Sequence, residues 1–430
     1  MDSFQLDTDN KLAKPATEKK TRFPGGRFGL SVFGFAAVNA ALVAAVVASS
    51  GTMPGASIVE DVLSNNLKQS PSYGTWSWWA ARAYFSEKKA PDVVMMGSSL
   101  VNSACWSADA TTTYKDIDCA LHHRVFTLEK DLKERLPGKD PTVLNISIQG
   151  AGACDYYMMT RGLMEGARKP KVLVVGIAPR DFIDNKIHNL GDTEPFMFHQ
   201  RYVDFDETVA RAYSNPFVRA MGELEWKIGR LPLRRLHAAV ASYFTDGSGA
   251  ENTRRKEAGD DLRYALSASS QRIFPGDIVV PKVVPEGFHD NTAEYVSRYK
   301  NPHPQHFTTQ LFFFEEMLKR MNAQNIQVLV VDMPTLQRNR DMLPTAFWNN
   351  YKTQLKEVCA RQKADYLFLS DSTDFIQRDF IDNVHVSFRG GAKVLAKIAD
   401  EIVRNPQLAS ALNSNNNEQM LSSKKSSPPN

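Results

Sequence analysis

Three short segments of this 430-residue chain carry residue types that can do acyl chemistry. In Phe380-Ile381-Asp382-Asn383-Val384-His385-Val386-Ser387-Phe388-Arg389-Gly390-Gly391, Asp382 precedes His385 by three positions. A carboxylate so close can fix the imidazole's tautomer, orient the ring and stabilise the imidazolium formed when the ring takes a hydroxyl proton. An Asp-x-x-His turn also occurs as an ordinary surface hydrogen bond, so the motif needs a partner from elsewhere. Met95-Met96-Gly97-Ser98-Ser99-Leu100 offers two serines directly after an apolar run, where a following helix can lend the positive end of its dipole. The same fragment reads equally as a strand-to-helix turn with a capping serine. Ile148-Gln149-Gly150-Ala151-Gly152 places glycines where backbone amides can face a reacting oxygen without a side chain in the way, as an oxyanion hole requires. It reads also as a glycine-rich turn entering a helix.

These segments need a frame that brings them together. Short β-branched runs at Asp92–Met96, Thr142–Ile148, Lys171–Ile177, Ile326–Met333 and Asp365–Leu369 alternate with amphipathic stretches. Helices are expected at Phe126–Leu136, Tyr156–Ala167, Thr308–Asn322, Thr345–Gln362 and Gly391–Val403. This alternation predicts an α/β fold with a doubly wound parallel sheet and crossover helices. The stretch from about 185 to 306 breaks the pattern and reads as a mixed insertion. Ligands of open α/β sheets bind at the carboxyl ends of the strands, so an insertion leaving the third strand there would overhang the site.

The segment Phe28–Ala48 is apolar or small throughout except for Asn39, and its 21 residues would rise about 30 Å as a helix, enough to cross a bilayer. Lys11, Lys14, Lys19, Lys20, Arg22 and Arg27 precede it, and the first basic residue after it is Lys68. The positive-inside rule then puts residues 1–27 in the cytoplasm as a short tail and the main domain outside. A single-pass anchor at 28–50, a connection at 51–90, a domain at 91–408 and a disordered tail at 409–430 are the expected divisions. A cleaved signal peptide is the competing reading of the apolar run, which exceeds the usual 7–15 residue apolar core of such peptides. Trp76, Trp78 and Trp79 read as the buried start of the domain, with a bilayer interface or a groove wall as alternatives.

A net charge of +4, from 52 basic and 48 acidic side chains, leaves no nucleic-acid footprint. Neither a phosphate-cradling Gly-x-x-x-x-Gly-Lys loop nor a Gly-x-Gly-x-x-Gly turn is present, so no nucleotide cofactor is expected. Cys105, Cys119, Cys154 and Cys359 show no Cys-x-x-Cys spacing; Cys105 with Cys119 is a candidate pair, and isolated core thiols are the alternative. His122-His123 and His303-Pro304-Gln305-His306 lack an acidic or cysteine partner at ligand spacing, so no metal site is expected.

In their order along the chain the three segments resemble the SGNH/GDSL hydrolase superfamily. Gly97-Ser98-Ser99-Leu100 is similar to its Gly-Asp-Ser-Leu block with serine in place of aspartate, Gly150 or Gly152 falls at its second-block glycine, and Asp382 and His385 match its last block. The resemblance covers roughly 90–184 and 308–403. It implies a three-layer, flavodoxin-like parallel sheet, Ser99 as nucleophile with Asp382 and His385, and an oxyanion hole drawn from Ser99, Gly150 and Gly152. The family's Gly-x-Asn-Asp block is replaced by Gly176-Ile177-Ala178-Pro179-Arg180-Asp181-Phe182, which removes an oxyanion asparagine and leaves Arg180 as a substitute donor. That variant and the apolar anchor resemble the membrane-bound bacterial members that modify surface polymers, such as the D-alanyl transfer protein of teichoic acid and the alginate O-acetylation proteins. The resemblance implies an extracytoplasmic serine esterase or O-acyltransferase acting on an acylated surface glycan or similar substrate, beside a membrane acyl-donor protein. A catalytically silent scaffold of the same fold, or a lipase or thioesterase working on the adjacent membrane, is the alternative expectation.

Overall fold

The computed structural model describes residues 57–63, 70, 72–165, 168–187, 189–229, 272–283, 287–300 and 304–414, all within one compact unit. The expected span at 28–50 lies outside the described residues, as does most of the expected tail. Among the described residues no helix is long and apolar enough to cross a membrane.

Five parallel strands form the centre of an α/β structure: β1 (Val93–Met96), β2 (Val143–Asn145), β3 (Val172–Ile177), β4 (Gln327–Asp332) and β5 (Asp365–Phe368). Their order is β2-β1-β3-β4-β5, with Val93 in register with Val143 on one side and Val172 on the other. β1 and β3 are buried along their whole length, which explains continuous apolar runs where a half-exposed strand would alternate. The order reverses direction at β1, so the crevice between β1 and β3 opens beyond their carboxyl ends.

Helices cover the sheet. α1 (Trp76–Ser86) starts the core, with Trp78 fully buried. α2 (Ser99–Thr113) follows β1 directly and α3 (Phe126–Arg135) leads into β2. α4 (Ala153–Leu163) follows β2, and the single turn α5 (Arg180–Ile183) follows β3. α6 (Thr292–Tyr299) and α7 (Pro304–Ala323) bring the chain back to β4. α8 (Thr345–Arg361) and α9 (Phe388–Arg404) flank β5, and α10 (Pro406–Asn413) stays ordered past residue 408 because Leu408 and Leu412 are buried. α9 packs on α2 and α3. The approach is close at Gly391, where a Cβ would lie 2.5 Å from the Ala104 carbonyl oxygen, so glycine lets the start of α9 rest on α2.

Cys105 and Cys119 are not bridged: all four thiols are free and buried. They pack as small apolar groups, and burial pushes the Cys119 thiol up to about 12.

Asp332 closes β4 and accepts hydrogen bonds from Tyr351 Oη at 3.1 Å and Ser370 Oγ at 2.6 Å. Burial outweighs those bonds and raises its carboxyl to about 7. An unfolded aspartate releases its proton near pH 4. Between about pH 4 and 7 the folded state therefore holds a proton that the unfolded state has lost, and stability declines as pH rises through that window. Asp332→Asn is expected to raise the melting temperature relative to the parent at pH 8 and to gain less at pH 5. An equal difference at both pH values in thermal melts would refute this coupling.

Candidate active site

Ser99 is the first residue of α2, at the carboxyl end of β1, and is partly exposed. As a first-turn residue its N–H has no intrahelical acceptor, and the helix dipole points its positive end at the same place. The chain beyond β2 stays alongside β1, since Ile146 and Ile148 donate to the carbonyls of Met95 and Gly97 at 2.9 Å each. That pairing carries the Gly150 turn to the side of Ser99. A polar cluster braces it: Asn102 Nδ2 donates to the Ser147 carbonyl at 3.2 Å, and Asn145 Nδ2 to Asn102 Oδ1 at 2.8 Å.

The relay turn enters from the far end of the domain. Ile381 N–H donates to the His385 carbonyl at 2.9 Å, closing a tight turn, and α9 docked on α2 sets that turn over Ser99. Asp382 Oδ1 accepts the N–H groups of Val384 at 2.8 Å and His385 at 2.7 Å, while Oδ2 accepts from His385 Nδ1 at 2.6 Å. Burial works to raise the Asp382 carboxyl, but the hydrogen bonds from the His385 ring and the two backbone N–H groups outweigh it and hold it below its ordinary value. An ionised carboxylate only accepts, so Nδ1 carries the ring proton and Nε2 has a free lone pair. Nε2 lies 2.8 Å from Ser99 Oγ. The His385 side chain is 24% exposed and that of Asp382 13%, so the serine and the ring edge face an open site with the carboxylate behind them.

The expected oxyanion donors divide. Gly150 lies in an exposed turn with φ +79°, a conformation that suits glycine, and its N–H has no acceptor among the described residues. Gly152 does not serve: its N–H donates to Asp155 Oδ2 at 2.7 Å. Arg180 does not serve either. Its Nη1 donates to the Gly150 carbonyl at 3.1 Å and to Asp184 at 3.3 Å, and its Nη2 to the Ala151 carbonyl at 2.6 Å and to Asp181 at 2.8 Å. Its Nε is buried and has no hydrogen-bond partner among the described residues. Burial opposes charge on both members of this pair. For Arg180 the Asp181 and Asp184 carboxylates outweigh burial and raise its pKa, whereas burial leaves Asp181 above its ordinary value despite the guanidinium beside it. The guanidinium is charged, since four hydrogen-bond acceptors surround it. Arg180 thus shapes the Gly150 turn from behind.

Sequence reasoning missed Asn102 and Asn145. Asn145, in a strand run otherwise of Thr, Val, Leu, Ile and Ser, was the available signal. Asp155 was readable as well, three residues beyond Gly152 at a helix start. The rings of His122 and His123 are held by Asp109 and by backbone carbonyls, and among the described residues no group of three His, Cys, Asp or Glu is placed to hold a metal ion. No protein-family model matches this chain, and no curated protein matches its sequence.

Proposed function

We propose that the chain is an SGNH-type, flavodoxin-like domain acting as a serine-dependent esterase or O-acyltransferase on an acylated surface glycan or similar ester. The observation that carries the reading is the continuous hydrogen-bonded chain from Ser99 Oγ through the His385 ring to Asp382. The strand order, the serine after β1 and the relay turn before α9 support the fold assignment. A scaffold that had lost catalysis would have no need to hold Oγ and Nε2 at hydrogen-bond distance.

Ser99 Oγ attacks the acyl carbonyl carbon while its proton passes to His385 Nε2. The carbonyl oxygen becomes an oxyanion facing the amides of Ser99 and Gly150. Collapse of that intermediate breaks the ester bond, and the leaving alcohol takes the proton from His385. Water or a sugar hydroxyl then gives its proton to the same nitrogen and attacks the acyl carbon; the bond from Ser99 Oγ to that carbon breaks, Oγ takes the proton back from Nε2, and the acid or the new ester leaves. Asp382 keeps its negative charge throughout and stabilises the transient imidazolium. An N-terminal anchor at 28–50 would keep the domain at the outer membrane face, near an acyl donor and its polymer.

The test is labelling of the full-length protein with a fluorophosphonate, comparing the parent with His385→Ala, together with a panel of acetyl and long-chain esters. Labelling that vanishes in the variant, with turnover of acetyl esters, is the expected result. A folded parent that resists the probe would overturn the enzymatic reading, and turnover restricted to long-chain esters would redirect it to a lipase.

A further inference from the structure

The insertion returns to the α/β core through residues 287–300, and this return touches the site at two places. At its start, His289 N–H donates to the Ile381 carbonyl at 2.7 Å, and Asn383 N–H donates to Asn291 Oδ1 at 3.1 Å. The Asn383 side-chain amide donates to Asp290 Oδ1 and Thr292 Oγ1, each at 2.9 Å. Asn383 is fully buried between Asp382 and His385 in sequence, so these bonds fasten the relay turn to the insertion.

At the other end, Arg298 pairs with Asp184 through Nη1, and its carbonyl accepts the Asn185 N–H at 3.0 Å. Asp184 also holds Arg180, and Arg180 grips the carbonyls of Gly150 and Ala151. Thr292 and Arg298 stand at opposite ends of α6, six residues or about 9 Å apart along a rigid helix. Tyr295 and Tyr299 bury the same helix against the core.

We infer that α6 is a positioning strut of the active site, setting the Asp382–His385 turn and the Gly150 turn at a fixed separation across Ser99. The inference rests on the acyl-transfer reading above. One element then aligns both the ring that takes the proton and the amide that meets the oxyanion. Neither Asp290 nor Arg298 touches the reacting atoms, so each acts through the turn it holds. A misplacement of about 1 Å at such a site can cost on the order of a hundredfold in rate.

The experiment compares Asp290→Ala, Asp290→Asn, Arg298→Met and the Asp290→Ala/Arg298→Met double variant in the full-length protein. Its readouts are kcat and KM on a soluble ester, phosphonate labelling rate and melting temperature. Each single truncation is expected to lower kcat and labelling about tenfold with KM within about twofold. Asp290→Asn keeps an oxygen for the Asn383 amide and should recover most of the loss. The double variant should lose less than the product of the singles, because both act on one strut. Should Arg298→Met melt below the assay temperature, Arg298→Gln removes the charge that faces Asp184 while keeping a polar amide there, and carries the test in the same direction. Folded variants with kcat within twofold of an active parent would overturn the strut and leave the acyl-transfer reading standing. A parent that neither labels nor turns over an ester would overturn the reading itself, and the strut with it.

Discussion

Ser99→Ala is expected to lower ester turnover by about a thousandfold or more, abolish phosphonate labelling and leave the melting temperature unchanged. The side chain is partly exposed at the start of α2, and among the described residues its hydroxyl has one partner, the His385 ring. Its removal takes away the atom that bonds to the acyl carbon but no packing that the helix needs. Steady-state kinetics with an acetyl ester, paired with a thermal melt, measures both halves. Turnover surviving in Ser99→Ala at the parental rate would end the mechanism, because no other hydroxyl among the described residues is held by His385.

The second large effect is expected from Asp382→Asn. Asparagine keeps an oxygen for the N–H groups of Val384 and His385, so the turn should stay closed. Its amide nitrogen, however, would face His385 Nδ1 as a donor and push the ring proton onto Nε2. A protonated Nε2 cannot accept from Ser99 Oγ. The loss in kcat should approach about ten-thousandfold, the scale seen when the carboxylate of a serine protease triad is amidated. A kcat within tenfold of the parent in Asp382→Asn would show that the carboxylate does not set the tautomer.

β1, β3 and β4 were legible because strands buried on both faces demand unbroken apolar runs, and such runs stand out against amphipathic helices; the half-buried β5, Asp-Tyr-Leu-Phe, was legible from its short apolar run directly after α8. The relay was legible because Asp382 and His385 lie within one turn, so sequence spacing is close to spatial spacing. α2 left no comparable trace: Ser-Leu-Val-Asn-Ser-Ala-Cys-Trp-Ser-Ala-Asp-Ala-Thr-Thr-Thr scatters Leu, Val and Trp among small and polar residues with no apolar stripe, and the helix packs on both α3 and α9. Arg180 was misread because a guanidinium has five donors, and only the fold decides which carbonyls they meet. The bond between Asn383 and Asp290 spans 93 positions, and no local pattern marks it.

Ser99 and His385 are 286 positions apart in the chain. A ribosome adding about 5–20 residues per second exposes the serine roughly 15–60 s before the imidazole exists. During that interval Ser99 is an ordinary alcohol, with neither a base nor the α9 platform that delivers one. The nascent protein therefore cannot acylate itself or its surroundings, and a chain truncated anywhere before His385 carries an inert serine. On the proposed mechanism reactivity would appear only once the end of the domain has docked on its beginning, so the phosphonate probe would double as a census of completed molecules.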